Sequence, residues 1–416
     1  PIYLSVSSLF RESIQGTALI DREIQIHWEI DVDKIKFYLE EPTKSSIPVL
    51  QFNTINYPEG FLQTNITLGN PTFPGGWDVN SVDPPVTGDQ CLPFWVTAYR
   101  KNELVHIECL KIRPTWMQDN RLSIGNLAVT SLFLPGTHNS GCYKRGESLS
   151  HRDTAGRYLM AQDQDLWSQL VYGIRYFDLR IGYYPIRKNG TEISDSDNSF
   201  WINHDLIKVK LLAPLLKQLK KFILQARDEV VVLDFHRFPV GFSSRRNRHD
   251  LLVALLEREL KDIAVPYKGV WPTLDRIWGK SQRLIISYGD STVARDKDWL
   301  WPPIKQMWGN QQTLEGLQHF LNITMANMEL KENSNQLWAA MAHLTPAPLD
   351  ILFNPSGSLR TLANSINKNL TGWFKTEWWT TTNIIATDFF LENDLINVAV
   401  AANIRKGNKA KKYVID

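Results

Sequence analysis

The run Val230-Val231-Val232-Leu233-Asp234-Phe235 constrains the fold more than any other stretch of this chain. Its residues are almost all apolar and do not alternate wet with dry, so the strand requires cover on both faces. Amphipathic helical patterns flank it. Leu211 to Gln225 comes before, with Lys217, Lys220 and Lys221 on the wet side, and His249 to Ile263 comes after. The same alternation continues in both directions. Strands are expected at 129–134, 174–183, 200–203, 283–288, 337–342 and 383–389, and further helices at 154–172 and 394–402. Strands alternating with helices specify a parallel sheet under covering helices. Six to eight strands in this span favour a closed, TIM-like (β/α) barrel over an open sheet.

Residues 1–115 have another texture. Short runs such as Ile24 to Ile30, Ile35 to Leu39, Phe61 to Leu68, Phe94 to Tyr99 and Val105 to Leu110 alternate with period two. Turn-rich segments separate them, at Glu41-Pro42, at Asn56 to Gly60 and at Asn70 to Gly76. This pattern predicts an all-β, sandwich-like domain. Arg113 to Asn120 reads as the linker, which gives domains at 1–115 and 116–416. The length of 416 residues fits that division.

Composition removes some functional classes. The net charge of +2 gives no general attraction to nucleic acid or to an acidic membrane. Arg245, Arg246 and Arg248, and the group Arg405, Lys406, Lys409, Lys411 and Lys412, read as a solvated loop and a chain end. No window approaches the ~20 apolar residues that cross a bilayer. The start at Pro1, without a leader-like segment, fits a mature form, and the polar end shows no tail for a lipid anchor. Cys91 and Cys109 flank an apparent hairpin where a disulfide can form, and Cys142 is left over. That odd count also fits a reducing, cytoplasmic setting. Four N-glycosylation tripeptides, at Asn65, Asn189, Asn322 and Asn369, favour a secreted or lumenal protein.

In a (β/α) barrel the chemistry lies at the carboxyl ends of the strands. Those ends carry Leu134-Pro135-Gly136-Thr137-His138-Asn139-Ser140, then Phe177-Asp178-Leu179-Arg180, Asn203-His204-Asp205, Asp234-Phe235-His236 and Thr387-Asp388. Asp178 and Arg180 share one side of their strand, as do Asp234 and His236. A single polar strand end is ordinarily a cap or a surface residue, and Asp178 with Arg180 could be a plain ion pair. Five of them converging on one mouth describe a catalytic site.

The first motif, the run Gly173-Ile174-Arg175-Tyr176-Phe177-Asp178-Leu179-Arg180, the later His204 and Val231-Val232-Leu233-Asp234-Phe235-His236 resemble the X domain of phosphatidylinositol-specific phospholipase C. The resemblance covers about residues 122–392 and leaves out 1–115. More narrowly, the chain is similar to X-domain-containing proteins that lack the other modules of signalling phospholipases. The resemblance implies that His138 is the general base toward an inositol 2-hydroxyl and His204 the general acid toward the diacylglycerol oxygen. Imidazoles suit both tasks near neutral pH. Asp388, on the last strand, would orient His138.

At the phosphate the motif departs from the calcium-dependent pattern. Asn139, Asp178 and Asp234 match three ligand positions, but Arg180 stands where a further carboxylate is expected. A guanidinium there can do a cation's work, and calcium takes about 6–8 oxygens, so a cofactor-free site is the expectation and calcium the alternative. Asp234 would then meet Arg180 or a substrate hydroxyl. Asn139, Asp234, His236 and Tyr288 are the candidate substrate contacts. The fifth strand ends Ser287-Tyr288-Gly289-Asp290 without the family's basic residue, which points to unphosphorylated or glycosylated inositol lipid as substrate.

Among the 15 tryptophans, Trp299, Trp301, Trp373, Trp378 and Trp379 sit in expected loops, where they either pack or touch a membrane surface. His27, His106, His151, His249, His319 and His343 read as ordinary, Ser140 lacks a nucleophile-elbow context and Cys142 lacks an activating base. Two rival readings stand beside the lipase. One is a secreted binding protein on the same scaffold, with a protein partner for the β domain. The other is a glycerophosphodiester or sphingolipid hydrolase, for which a magnesium-binding carboxylate cluster is missing.

Overall fold

The computed structural model describes residues 1–10, 22–143, 154–193, 197–269, 271–330, 336–354 and 356–415. The chain divides into two compact units, Pro1–Pro114 with Leu391–Asp394, and Thr115–Phe390 with Leu395–Asp416.

The first unit carries strands β1 (Ile2–Val6), β2 (Glu23–Trp28), β3 (Lys34–Tyr38), β4 (Leu50–Asn53), β5 (Phe61–Thr67), β6 (Gln90–Arg100) and β7 (Glu103–Ile112). They form two antiparallel sheets, ordered β1-β2-β5 and β4-β3-β6-β7. Alternation buries Ile35 and Phe37 of β3, whereas β2 is buried at every residue, its polar Glu23, Gln25 and His27 included. Lys101 and Asn102 take positive φ at the β6–β7 turn, and Cys91 and Cys109 are disulfide-bonded across that pair.

The second unit is mixed α/β. Its strands are β8 (Leu134–Thr137), β9 (Tyr176–Tyr183), β10 (Ile186–Lys188), β11 (Thr191–Ile193), β12 (Phe200–His204), β13 (Ile207–Leu211), β14 (Val231–Val240), β15 (Leu284–Tyr288), β16 (Lys305–Met307), β17 (Trp338–Met341) and β18 (Ile384–Thr387). A parallel path runs β15-β14-β9-β8-β18-β17-β16. Leu212–Gln225 buries Leu212, Leu215, Leu216, Leu219, Phe222 and Ile223, the spacing of one helical face. Leu359–Thr376 starts at a capping box between Ser358 and Thr361.

Two expectations need correction. The sheet curls but does not close into a full barrel. Among the described residues, β15 and β16 share no ladder, and the isolated bridge Ser287–Trp301 spans the gap. Pro302 and Pro303 precede β16 and have no N–H to give, so a ladder cannot propagate there. Side-chain bonds stand in: Ser287 Oγ donates to Pro302 O (2.9 Å) and accepts from the Ile304 N–H (3.2 Å). The second correction concerns β12, which is not a parallel barrel strand. It pairs antiparallel with the far end of β9 and forms a hairpin with β13, turning at Asp205 with φ 48°.

The helix at 359–376 runs through Trp373, where a loop was expected, and a further helix lies at 314–330. Trp299, Trp301, Trp373 and Trp378 are buried, so they do not form a membrane-facing wedge. No helix among the described residues is long and apolar enough to cross a membrane.

Candidate active site

Register brings the site together. Thr387 of β18 pairs with Thr137 of β8, so the residues that follow, Asp388 and His138, emerge side by side. The Gln162 amide donates to the carbonyls of both His138 (2.9 Å) and Thr387 (2.8 Å), which ties the two strand ends. His138 Nδ1 lies 2.8 Å from Asp388 Oδ1. A proton held on Nδ1 by that carboxylate leaves Nε2 as the basic nitrogen. Burial, with the Arg180 charge added, lowers His138 to about 3, so it is neutral at pH 7. Burial also raises Asp388 to about 6, against the pull of His343 and His204.

Close packing aligns β8 with its neighbours. A Cβ on Gly136 would stand 2.6 Å from the Tyr176 ring and 2.8 Å from the Ile385 carbonyl. Ser140, near His138, cross-links strands: its Oγ accepts from the Asp178 N–H and donates to Thr137 O, both at 2.8 Å. Asn139 has φ 44°, and its N–H donates to Asp178 Oδ2 at 2.9 Å.

Asp178 is wholly buried and stands opposite Asp234 in the β9–β14 register. The Gln306 amide approaches Asp178 Oδ1 at 2.9 Å and the Tyr176 hydroxyl at 3.0 Å, and that hydroxyl donates to Asp234 Oδ2 at 2.7 Å. Arg180 Nη2 lies 3.5 Å from Asp178 Oδ2. Burial alone would raise Asp178, but Arg180, His138 and His236 outweigh it and hold the carboxyl well below its usual range. Asp234 also lies 3.4 Å from His236 Nδ1. Asp234 thus meets Tyr176, His236 and, at 3.5 Å, the Gln306 amide, and not the Arg180 expected from the sequence.

His204 ends β12, and its Nδ1 lies 2.7 Å from the Leu159 carbonyl. A carbonyl only accepts, so this contact places a proton on Nδ1 and leaves Nε2 as the exchanging nitrogen. His138, Asn139, Arg180, His204, His236 and Asp388 all line one cavity of about 670 Å³. Asp178 and Asp234 are buried behind it. Tyr288, expected among the substrate contacts, is not part of the lining. Its hydroxyl is 2.8 Å from His249 Nδ1 within a cluster that includes Phe238. A Cβ on Gly289 would meet the His236 carbonyl at 2.3 Å, so the end of β15 packs against β14 and offers no side chain.

Sequence reading missed two residues. Gln306 belongs to the three-residue β16, too short to register as a period. His343 was read as ordinary, yet its ring stacks on His138, with centroids 3.7 Å apart and planes 7° apart. Extending the strand-end rule to the run 337–342 would have found it. His151 lies outside the described residues.

Ligating atoms of His138, His343 and Asp388 lie within 4.8 Å of one another, close enough to consider a metal ion. The stacked rings argue against one in this arrangement. Imidazole lone pairs lie in the ring plane, so two parallel rings do not converge on a common ion.

No family model matches the chain. Solved structures of phosphatidylinositol-specific phospholipase C from Staphylococcus aureus share the fold. One aligns with a TM-score of 0.53 and 14% identity over 70% of this chain and 96% of its own. Another aligns with a TM-score of 0.52 over 66% and 93%. Curated sequences then narrow the class. Human PI-PLC X domain-containing protein 1 is 25% identical over 325 residues, which is 73% of this chain and 96% of that protein. PI-PLC X domain-containing protein 3 of Mus musculus is 26% identical over 311 residues, 69% of this chain and 92% of its own. Over about 70% of its length the chain is thus similar to PI-PLC X domain-containing proteins, at 25–26% identity.

Proposed function

We propose that the protein is a phosphoric diester hydrolase that cleaves an inositol phospholipid by general acid–base catalysis between His138 and His204. The contact of His138 with Asp388, beside a cavity shared with His204 and Arg180, carries this reading. His138 Nε2 removes the proton from the hydroxyl adjacent to the phosphate, and that oxygen attacks phosphorus. Arg180 faces the phosphate oxygens as negative charge grows. His204 gives its Nε2 proton to the departing diacylglycerol oxygen. Water then opens the cyclic phosphate with the two roles reversed.

The reading is metal-independent. Asp178 is engaged by the Asn139 N–H, Gln306 and Arg180, which leaves it poorly suited to calcium. β15 contributes no side chain to the cavity, which supports an inositol without extra phosphates. Peripheral membrane contact fits the rim. Leu349, Leu352 and Phe353, on the short helix Pro348–Phe353, are 67%, 73% and 76% exposed, and Ile351 of that helix lines the cavity. The Cys91–Cys109 disulfide and the exposed asparagines 65, 189, 322 and 369 support a secreted or lumenal glycoprotein. Vesicle hydrolysis by wild type, His138→Ala and His204→Ala tests the proposal. Both variants should lose turnover, and a wild type no better than either favours the binding-protein reading.

A further inference from the structure

Asp388 grips one edge of the His138 ring, at Nδ1. An edge contact alone leaves the imidazole free to tilt about the line of the hydrogen bond. The neighbouring His343 ring closes that freedom, because it lies flat against the face at 3.7 Å and 7°. With edge and face both held, the direction of Nε2 is set.

We propose that His343 is the positioning residue of His138: its ring holds the imidazole plane on the attacking hydroxyl, and its π face stabilises the imidazolium that forms. The proposal rests on His138 being the base. His343 itself stays out of proton transfer. Its Nδ1 lies 3.3 Å from the Leu344 carbonyl, an acceptor that draws the ring proton away from the reacting groups. Burial and the adjacent His138 hold His343 down to about 3, so it remains neutral while His138 takes a proton, although Asp388 pulls the other way and Arg180 adds to the lowering. A neutral ring stacked on a cation is attractive, whereas a second cation there would repel it.

The test compares His343→Phe, which keeps a flat ring, with His343→Leu, which keeps apolar bulk alone. Two readouts are used on the full chain: kcat and KM on phosphatidylinositol vesicles, and the His138 imidazole titration by NMR without substrate. His343→Leu should lower kcat by about 100-fold with KM little changed, the scale of a misplaced catalytic group. It should also shift the His138 titration. His343→Phe should restore most of both, and unmoved His204 resonances report an intact site. A leucine variant that matches wild type in both readouts overturns the proposal. So does a phenylalanine variant as slow as leucine when His343→Gln is active, which would make His343 a hydrogen-bonding residue rather than a stacked ring. Failure of the lipase reading shows separately, as a wild type without turnover, and the titration still decides the role of His343.

Discussion

His138 and Asp388 are 250 residues apart in the chain, and their Nδ1 and Oδ1 atoms stand 2.8 Å apart. The first and last strands of the sheet meet here, and the contact joins an imidazole kept neutral by burial to a carboxyl raised to about 6. The raised acid is ionised only above that value, so its support for an imidazolium is present at pH 7 and is lost as pH falls through about 6.

Asp388→Asn should therefore lower kcat by roughly 10³–10⁴-fold, the range seen when a triad carboxylate becomes an amide. The acidic limb of the kcat profile near pH 6 should disappear with it. A pH–rate series on both proteins measures this. A variant that retains the limb would assign it to another group.

On the proposed route His204 protonates the leaving oxygen, so the effect of removing it should depend on the leaving group. His204→Ala should fall by about 10²–10⁴-fold on a phosphodiester with an alkoxide leaving group and much less on its nitrophenyl counterpart. His138→Ala should fall on both. Equal losses for His204→Ala on the two substrates would remove its role as the acid.

Far from the cavity mouth, Arg175 and Glu229 form an ion pair with neither side chain exposed, and Arg175 Nη2 lies 2.7 Å from Glu229 Oε2. Glu229 Oε1 also accepts from the Met117 and Gln118 N–H groups, at 3.0 Å each. Arg175→Met leaves that carboxylate buried and unpaired, and urea unfolding should show a loss of about 3–5 kcal/mol.

The exposed rim predicts interfacial behaviour. Leu352→Asn and Phe353→Asn should each weaken partition onto phosphatidylinositol vesicles by roughly tenfold, the scale of one buried apolar side chain. Cleavage of a monomeric short-chain substrate should change little. Sedimentation with vesicles measures the first and a soluble assay the second.

Apolar runs were the most legible part of the fold. Val231 to Phe235 of β14 and Leu284–Tyr288 announce themselves because strands covered on both faces need such composition. Leu359–Thr376 did not, since Asn, Thr and Lys dilute its buried stripe of Leu359, Ala363, Ile366, Leu370 and Phe374. The open seam at β15–β16 depends on two prolines and one serine hydroxyl, which no periodicity reports. In the site, residues at strand ends could be read locally. The stacking of His343 on His138 is long-range, set by the register of β17, β18 and β8, and the role of Tyr288 failed because side-chain direction at the end of β15 is decided by packing against β14.

Product analysis by ³¹P NMR, with phosphatidylinositol vesicles in excess EDTA, tests the two-histidine, arginine-assisted route most directly. The route predicts a five-membered cyclic inositol phosphate as the first signal, later giving way to the monoester, and no such signal from Arg180→Leu with or without calcium. A wild type silent in EDTA and active on added calcium, or a monoester with no cyclic precursor, would contradict it.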